Sequence, residues 1–180
     1  ETAAAQAVGF DLGMLDLVAT ADEDELVGHL GPDLLGPDWD RAEALSRLAR
    51  HPHRPVAAAL MDQRNLAGIG NVYRNEILFL RRLHPFTPVA GVEDLGAVVD
   101  LSHRLLHANR DRSQRSTVGG PARRGEQFWV YGRGRQPCRR CGAPIREARI
   151  DDAELAPGEA HPGPPQDRAL WFCERCQPAP

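Results

Sequence analysis

Cys138-Arg-Arg-Cys141 and Cys173-Glu-Arg-Cys176 are two C-x-x-C pairs with 31 residues between them, and they use every cysteine in the chain. Each pair offers two thiolates from one tight knuckle, and two knuckles complete a tetrahedral metal site. The gap exceeds the usual ~15–20 residues, and the Pro/Gly-rich stretch 151–167 accounts for the excess. Gly142 suits the turn after Cys141. Two disulfides would need an oxidising compartment, which nothing in the sequence indicates. A thioredoxin-like redox pair would need a strand-to-helix setting, which is missing. The pattern points to one Zn2+ on Cys138, Cys141, Cys173 and Cys176. Four cysteine ligands close the shell, so this ion would build structure rather than activate water.

Other chemical signals are weak. His103 and His107 have i, i+4 spacing, but no Glu follows His103 as a zinc peptidase would need, so both read as surface residues. Gly68-Ile69-Gly70 lacks the preceding strand and third glycine of a dinucleotide loop. There is no Gly-x-Ser-x-Gly stretch and no evident Ser/His/Asp grouping. All 22 basic residues are Arg. A lysine Schiff base, a P-loop lysine and a kinase-type lysine are therefore excluded within these residues. Imine chemistry here would need an N-terminal amine.

The elements that must position these groups are legible in part. A chain of 180 residues, 42% hydrophobic and 26% charged, is long enough for one ordinary domain or two small ones. No apolar run approaches the ~18 residues of a membrane span, and no secretory signal opens the chain. Residues 7–20 alternate as a half-buried strand would. A turn-rich link, residues 29–38, follows. Asp40 with Glu43 fits an N-cap and its N3 partner, opening a helix to about Arg50. Pro55 suits the first position of a short second helix. Two glycines in Leu66-Ala67-Gly68-Ile69-Gly70-Asn71 break the helix and allow close backbone approach. A third helix is predicted over 71–82 and a fourth over 92–109. Residues 110–127 read as a loop that orders on a partner. Residues 128–131 and 169–172 read as short strands, and 151–167 as a surface insertion.

Charge is uneven. Residues 1–50 hold 11 acids and 3 Arg, whereas residues 104–149 hold 12 Arg and 3 acids. The second block is an electrostatic footprint for phosphate, although a solvated Arg-rich surface would look the same.

Residues 60–79, Leu-Met-Asp-Gln-Arg-Asn-Leu-Ala-Gly-Ile-Gly-Asn-Val-Tyr-Arg-Asn-Glu-Ile-Leu-Phe, closely resemble the helix–two-turn–helix of the formamidopyrimidine-DNA glycosylase / endonuclease VIII family. His29-Leu30-Gly31-Pro32-Asp33 resembles its interdomain link. Trp129-Val130-Tyr131-Gly132-Arg133 and Pro137-Cys138 resemble the entry to its zinc finger, and Arg168 to Gln177 the exit. The resemblance implies a mainly α fold with a small β zinc ribbon. A helix–two-turn–helix bundle would be followed by a four-cysteine zinc-finger β-hairpin and preceded by a remnant of a β-sandwich. The implied boundaries are 1–37, 38–127 and 128–180.

It also implies roles. Asn71 and Arg168 match the positions that grip phosphates beside a flipped nucleotide, with Gly68, Gly70, Tyr73 and Arg133 among the DNA-contacting positions. An Asn at a helix start adds a neutral donor to the free N–H groups there, and an Arg on a rigid hairpin can contact phosphate in bidentate fashion. Phe10-Asp11-Leu12-Gly13 is similar to the endonuclease VIII side, which places Leu12 in the gap left by the flipped base and favours oxidised pyrimidines. Family members begin Pro-Glu, the amine attacking the deoxyribose; this chain begins Glu1-Thr2-Ala3. It is expected to be the DNA-binding, C-terminal portion of a bacterial glycosylase and abasic-site lyase, a cytoplasmic, nucleoid-associated monomer on double-stranded damaged DNA. The alternative is a non-enzymatic zinc-dependent module for kinked or abasic DNA. A zinc ribbon for RNA or protein contacts would leave the match over 60–79 as coincidence.

Overall fold

The computed structural model describes residues 16–119, 123, 125–150 and 168–180. A 3-10 turn, Thr20–Asp22, runs into a short helix α1, Glu23–Val27. Helices α2 (Arg41–Ala49), α3 (Val56–Met61), α4 (Asn71–Leu80) and α5 (Leu95–Asn109) follow. Strands β1 (Arg146–Ile150) and β2 (Arg168–Phe172) then pair antiparallel, with Ala148 opposite Leu170. The fold is mostly helical with a small two-stranded sheet. Among the described residues, no helix is long and apolar enough to cross a membrane.

Helix α2 begins at its expected cap. The Asp40 carboxylate accepts from Ala42 N–H at 2.8 Å and Glu43 N–H at 3.0 Å, which satisfies two orphan donors of the first turn. Glu43 does not reach back to complete a capping box. Its carboxylate takes Arg47, one turn on, at 2.6 Å. Arg47 also donates to the carbonyls of Leu30 and Arg64, tying the entering chain to the turns after α3. Pro55 is the N-cap of α3 rather than its first residue, with extended ψ of 133°. Its carbonyl accepts from Ala58 and Ala59 N–H. Every residue of α3 is buried, as suits a helix apolar on all sides.

Side chains hold the two turns between α3 and α4. Gln63 donates to the carbonyls of Met61 and Ile69 and accepts from Gly68 N–H, all at 2.9 Å. Asn65 donates to Ala59 O at 2.9 Å. The Asp62 carboxylate takes Arg54 at 2.8 Å and Arg64 at 2.9 Å. Gly68 has φ +108°, a conformation that costs a side-chain residue dearly. Helix α5 starts at Leu95, later than the 92 expected, because Asp94 caps it by accepting from Ala97 N–H at 2.8 Å.

One apolar cluster joins Leu34, Leu48, the α3 residues, Ile77, Leu78, Val98, Val99 and Leu106 to Ile150, Leu170 and Phe172 of the sheet. A second gathers Phe79, Val130, Cys138, Ile145 and Cys173. Because α4 supplies residues to both, the hairpin is seated on the helices.

Three expectations are corrected. Residues 128–131 form no strand; 129–131 run through bends and a turn because a side chain, not a strand, accepts the N–H groups of those three residues. The partner of β2 is β1 at 146–150, which the sequence reading missed. Of the expected strand over 7–20, residues 16–19 are irregular and 20 begins the 3-10 turn; residues 7–15, with Leu12, lie outside the described residues. Within 110–127, Ser116 and Thr117 are buried, Ser116 N–H donating to Asn109 Oδ1 at 2.7 Å and the Thr117 hydroxyl to Glu76. The expected insertion 151–167 lies outside the described residues.

Candidate nucleic-acid interface and metal centre

The start of α4 is open on one side. Gly70 is its N-cap and no side chain caps its first turn. A Cβ placed on Gly70 would meet nothing within 4 Å among the described residues. Orphan N–H groups and the positive end of the helix dipole therefore face free space. Asn71, half-buried, opens the helix. Its carboxamide oxygen accepts from Arg74 and, at 3.0 Å, from Asn75 Nδ2. The Asn71 NH2 group donates to none of the described residues, so it is the end left to offer. Gly68 serves differently: besides its positive φ, a Cβ there would lie 2.9 Å from Leu106 Cδ2.

Arg168 opens β2, half-buried, opposite Ile150. The same Arg74 nitrogen that serves Asn71 donates to Ala169 O at 3.1 Å. Two hydrogen bonds thus link Asn71 to the residue next to Arg168. Gly70 and Asn71 adjoin at the start of α4, and Arg74 ties Asn71 to the strand that Arg168 opens; two other expected contacts are engaged within the protein. Tyr73 is 7% exposed and packs in the main core, and burial pushes its hydroxyl pKa up. Arg133 donates to the carbonyls of Trp129 and Pro137 and to Gln136. Burial, first, then the Arg139 charge lower its pKa. It braces the knuckle. Of the Arg block, Arg139 binds Gly125 O and Arg140 lies over the Phe79 ring at 4.2 Å, while Arg104, Arg112 and Arg115 are exposed.

Glu76 was not singled out by sequence, yet it organises the entry to the cysteine module. It is fully buried. One oxygen accepts from Val130 and Tyr131 N–H, both at 2.9 Å. The other accepts from Trp129 N–H at 2.8 Å and from the Thr117 hydroxyl. Three consecutive amides around one carboxylate make a tight anion cradle filled from within.

The four cysteine sulfurs all lie within 4.8 Å of one another. Cys138 and Cys176 Sγ are 3.9 Å apart, Cys141 and Cys173 Sγ 3.5 Å. Tetrahedral metal–thiolate bonds of ~2.3 Å put sulfurs ~3.8 Å apart. A disulfide would need ~2.05 Å, and all four cysteines are free. The Ala143 N–H holds the Cys141 thiol down at about 7. Burial and neighbouring sulfurs push Cys176 up to about 12 and Cys173 upward. Crowded thiolates repel, and one shared cation removes that penalty. The four residues could hold one metal ion. His103 and His107 join no such group among the described residues; His103 stacks on Trp39 at 5.4 Å.

Comparison with known proteins places this arrangement. The formamidopyrimidine-DNA glycosylase H2TH domain matches residues 30–107, which contain α2 to α4 and most of α5. A Streptomyces coelicolor protein named "Probable endonuclease 8 2" is 44% identical over 99% of this chain and 60% of its own length. The chain belongs to the formamidopyrimidine-DNA glycosylase and endonuclease VIII family. A Mycolicibacterium smegmatis relative, "DNA-(apurinic or apyrimidinic site) lyase Nei2", is 43% identical over 99% of this chain and 65% of its own. The crystal structure of the MutM (Fpg) protein from Thermus thermophilus superposes with TM-score 0.65 and 27% identity, over 88% of this chain and 57% of that one. The chain spans about three fifths of the length of the curated relatives it matches. In family terms, α3, the Gln63-pinned turns and α4 are the helix–two-turn–helix.

Arg74 and Asn75 were also missed as site residues. The available signal was their place: polar residues on a helix whose neighbours Val72, Tyr73, Ile77, Leu78 and Phe79 leave no wide polar face.

Proposed function

We propose that this chain is the DNA-gripping portion of a base-excision-repair glycosylase and abasic-site lyase. One observation carries the reading: the outward Asn71 NH2 at the uncapped start of α4, two hydrogen bonds from the strand that opens with Arg168. Helix N–H groups, a neutral amide donor and a guanidinium together suit a phosphate on a kinked strand. Gly70 leaves room for that strand's backbone. The exposed Arg104, Arg112 and Arg115 extend the positive surface. Zn2+ on Cys138, Cys141, Cys173 and Cys176 would hold the hairpin and take no part in chemistry, since thiolates fill its shell.

The names of the relatives support glycosylase and lyase activity for the protein to which this chain belongs. A base would be flipped from the duplex at a cost of roughly a few kcal/mol. With no lysine in these residues, imine formation on an abasic deoxyribose would fall to an N-terminal amine. The endonuclease VIII-like Phe10-Asp11-Leu12-Gly13 favours oxidised pyrimidines, with Leu12 in the vacated gap. The working form is a monomer on double-stranded damaged DNA at the bacterial nucleoid.

The test is retention of a duplex carrying one tetrahydrofuran abasic analogue by the zinc-loaded 180-residue chain across a salt series. Log affinity is expected to fall linearly with log salt, with a slope of about −0.9 per phosphate neutralised. Absent or salt-insensitive affinity refutes the grip. Borohydride trapping with the product of the complete reading frame tests the lyase; binding without an adduct leaves the damage-binding module.

A further inference from the structure

Helix α4 lays two side chains against one edge of β2, while β1 takes the other. Arg74 is fully buried and gives one terminal nitrogen to both the Asn71 carboxamide oxygen and Ala169 O. Asn75 donates to that same Asn71 oxygen and, at 2.7 Å, to the Asn71 carbonyl. Its own oxygen accepts from Trp171 N–H at 2.8 Å. Ala169 and Trp171 are two residues apart, so the groups they present lie on one strand edge.

We propose that Arg74, with Asn75, is a positioning residue that locks the Asn71 carboxamide and β2 together, so that Asn71 and Arg168 meet phosphate as one rigid pair. The inference rests on the phosphate-grip reading above. An amide whose oxygen takes two donors has only its NH2 group to offer outward. Turning the Asn71 amide over would set donor against donor at both Arg74 and Asn75, and each would keep only its backbone acceptor, Ala169 O or Asn71 O. The sheet otherwise meets the helices through Ile150, Leu170 and Phe172, and apolar contact is non-directional. The bonds to Ala169 and Trp171 fix how far β2 stands along α4, and hence where Arg168 sits. Arg74 has no exposed surface, so it acts on DNA through Asn71 and β2 rather than by contact.

The test is a mutant cycle on the zinc-loaded 180-residue chain, with the tetrahydrofuran duplex as probe at one fixed salt. Arg74→Met should weaken binding by about 10-fold to 100-fold. Added to Asn71→Ala/Arg168→Ala, it should weaken binding by no more than about 2-fold, because residues acting as a unit are not additive. Arg74→Lys keeps charge and a donor and should restore part of the loss. Zinc content and urea midpoint are read alongside. If Arg74→Met fails to fold, Asn75→Asp takes its place: it keeps an acceptor for Trp171 N–H and removes the donor to Asn71. Unchanged affinity for Arg74→Met, or its full loss repeated in the Asn71→Ala/Arg168→Ala background, overturns the inference while the grip stands. If Asn71→Ala/Arg168→Ala itself binds like the parent, the grip reading falls and takes the inference with it.

Discussion

Glu76→Gln changes one atom of a fully buried side chain and should loosen the whole entry to the cysteine module. The carboxylate accepts four hydrogen bonds, two on each oxygen. A glutamine oxygen can keep the pair from Val130 and Tyr131 N–H. Its NH2 group then faces the Trp129 N–H, donor against donor, while the Thr117 hydroxyl can turn and accept. One buried N–H left without an acceptor costs about 1–3 kcal/mol. Each of the two retained bonds falls from charge-assisted to neutral, at about 0.5–1.5 kcal/mol. Relief of burying a charge offsets part of this, which places the expected loss at about 2–4 kcal/mol. That is a large share of a typical domain stability of about 5–15 kcal/mol. Urea unfolding of the zinc-loaded protein measures it, with hydrogen exchange at the amides of 129–131 as the local readout. The midpoint should fall at unchanged slope, and the Trp129 amide should exchange fastest. A Glu76→Gln protein within about 0.5 kcal/mol of the parent, with all three amides still slow, would refute the view that this carboxylate holds the segment.

The paired glycines should separate stability from binding. Gly68→Ala combines positive φ with a 2.9 Å approach to Leu106 and should cost about 2 kcal/mol or more in a denaturation experiment. Gly70→Ala meets nothing within 4 Å among the described residues; its melting temperature should hold while abasic-duplex affinity drops, and equal affinity would mean that no backbone approaches there. Chelation of a bound metal, or Cys141→Ser, should abolish DNA retention and release one equivalent of zinc, measured by a colorimetric indicator; retention after full removal would exclude a structural ion. Asp62 carries a pH signature. Burial opposes its ionisation, but the hydrogen bonds from Arg64 and Arg54 outweigh it and lower its pKa. Its stabilisation is therefore complete above the unfolded value of ~3.9 and is lost as pH falls through the depressed folded value. Asp62→Asn removes the negative charge that faces buried Arg54 and should cost about 3–5 kcal/mol at neutral pH; it should also flatten the acid limb of stability against pH, and an unchanged limb would count against this pair.

What was legible in the sequence was local. Asp40 caps α2 through amides two and three residues away, and a thiolate knuckle needs only its own four residues. The acid-rich start of α1, Glu23-Asp24-Glu25, was an equally local dipole signal, and it went unread beneath the alternation before it. The two strand misreadings share one physical cause: a distant partner overrode local preference. Phe128-Trp129-Val130-Tyr131 has the composition of a strand, but Glu76, more than 50 residues away, accepts the N–H groups a neighbouring strand would have taken. Arg-Glu-Ala-Arg-Ile at 146–150 has little strand character except Ile150, yet it pairs because Leu170 and Phe172 carry β2 into the core and need a partner. The site divides the same way. Asn71 is readable from a glycine-bounded helix start. Arg74, Asn75 and Glu76 look in sequence like a solvated turn of helix. They are buried because strand, loop and knuckle close over them, and each supplies the hydrogen bond that those irregular backbones lack. A helix that satisfies its own backbone is free to use its polar side chains on others, so polar residues inside an otherwise apolar helix mark the segments docked against it.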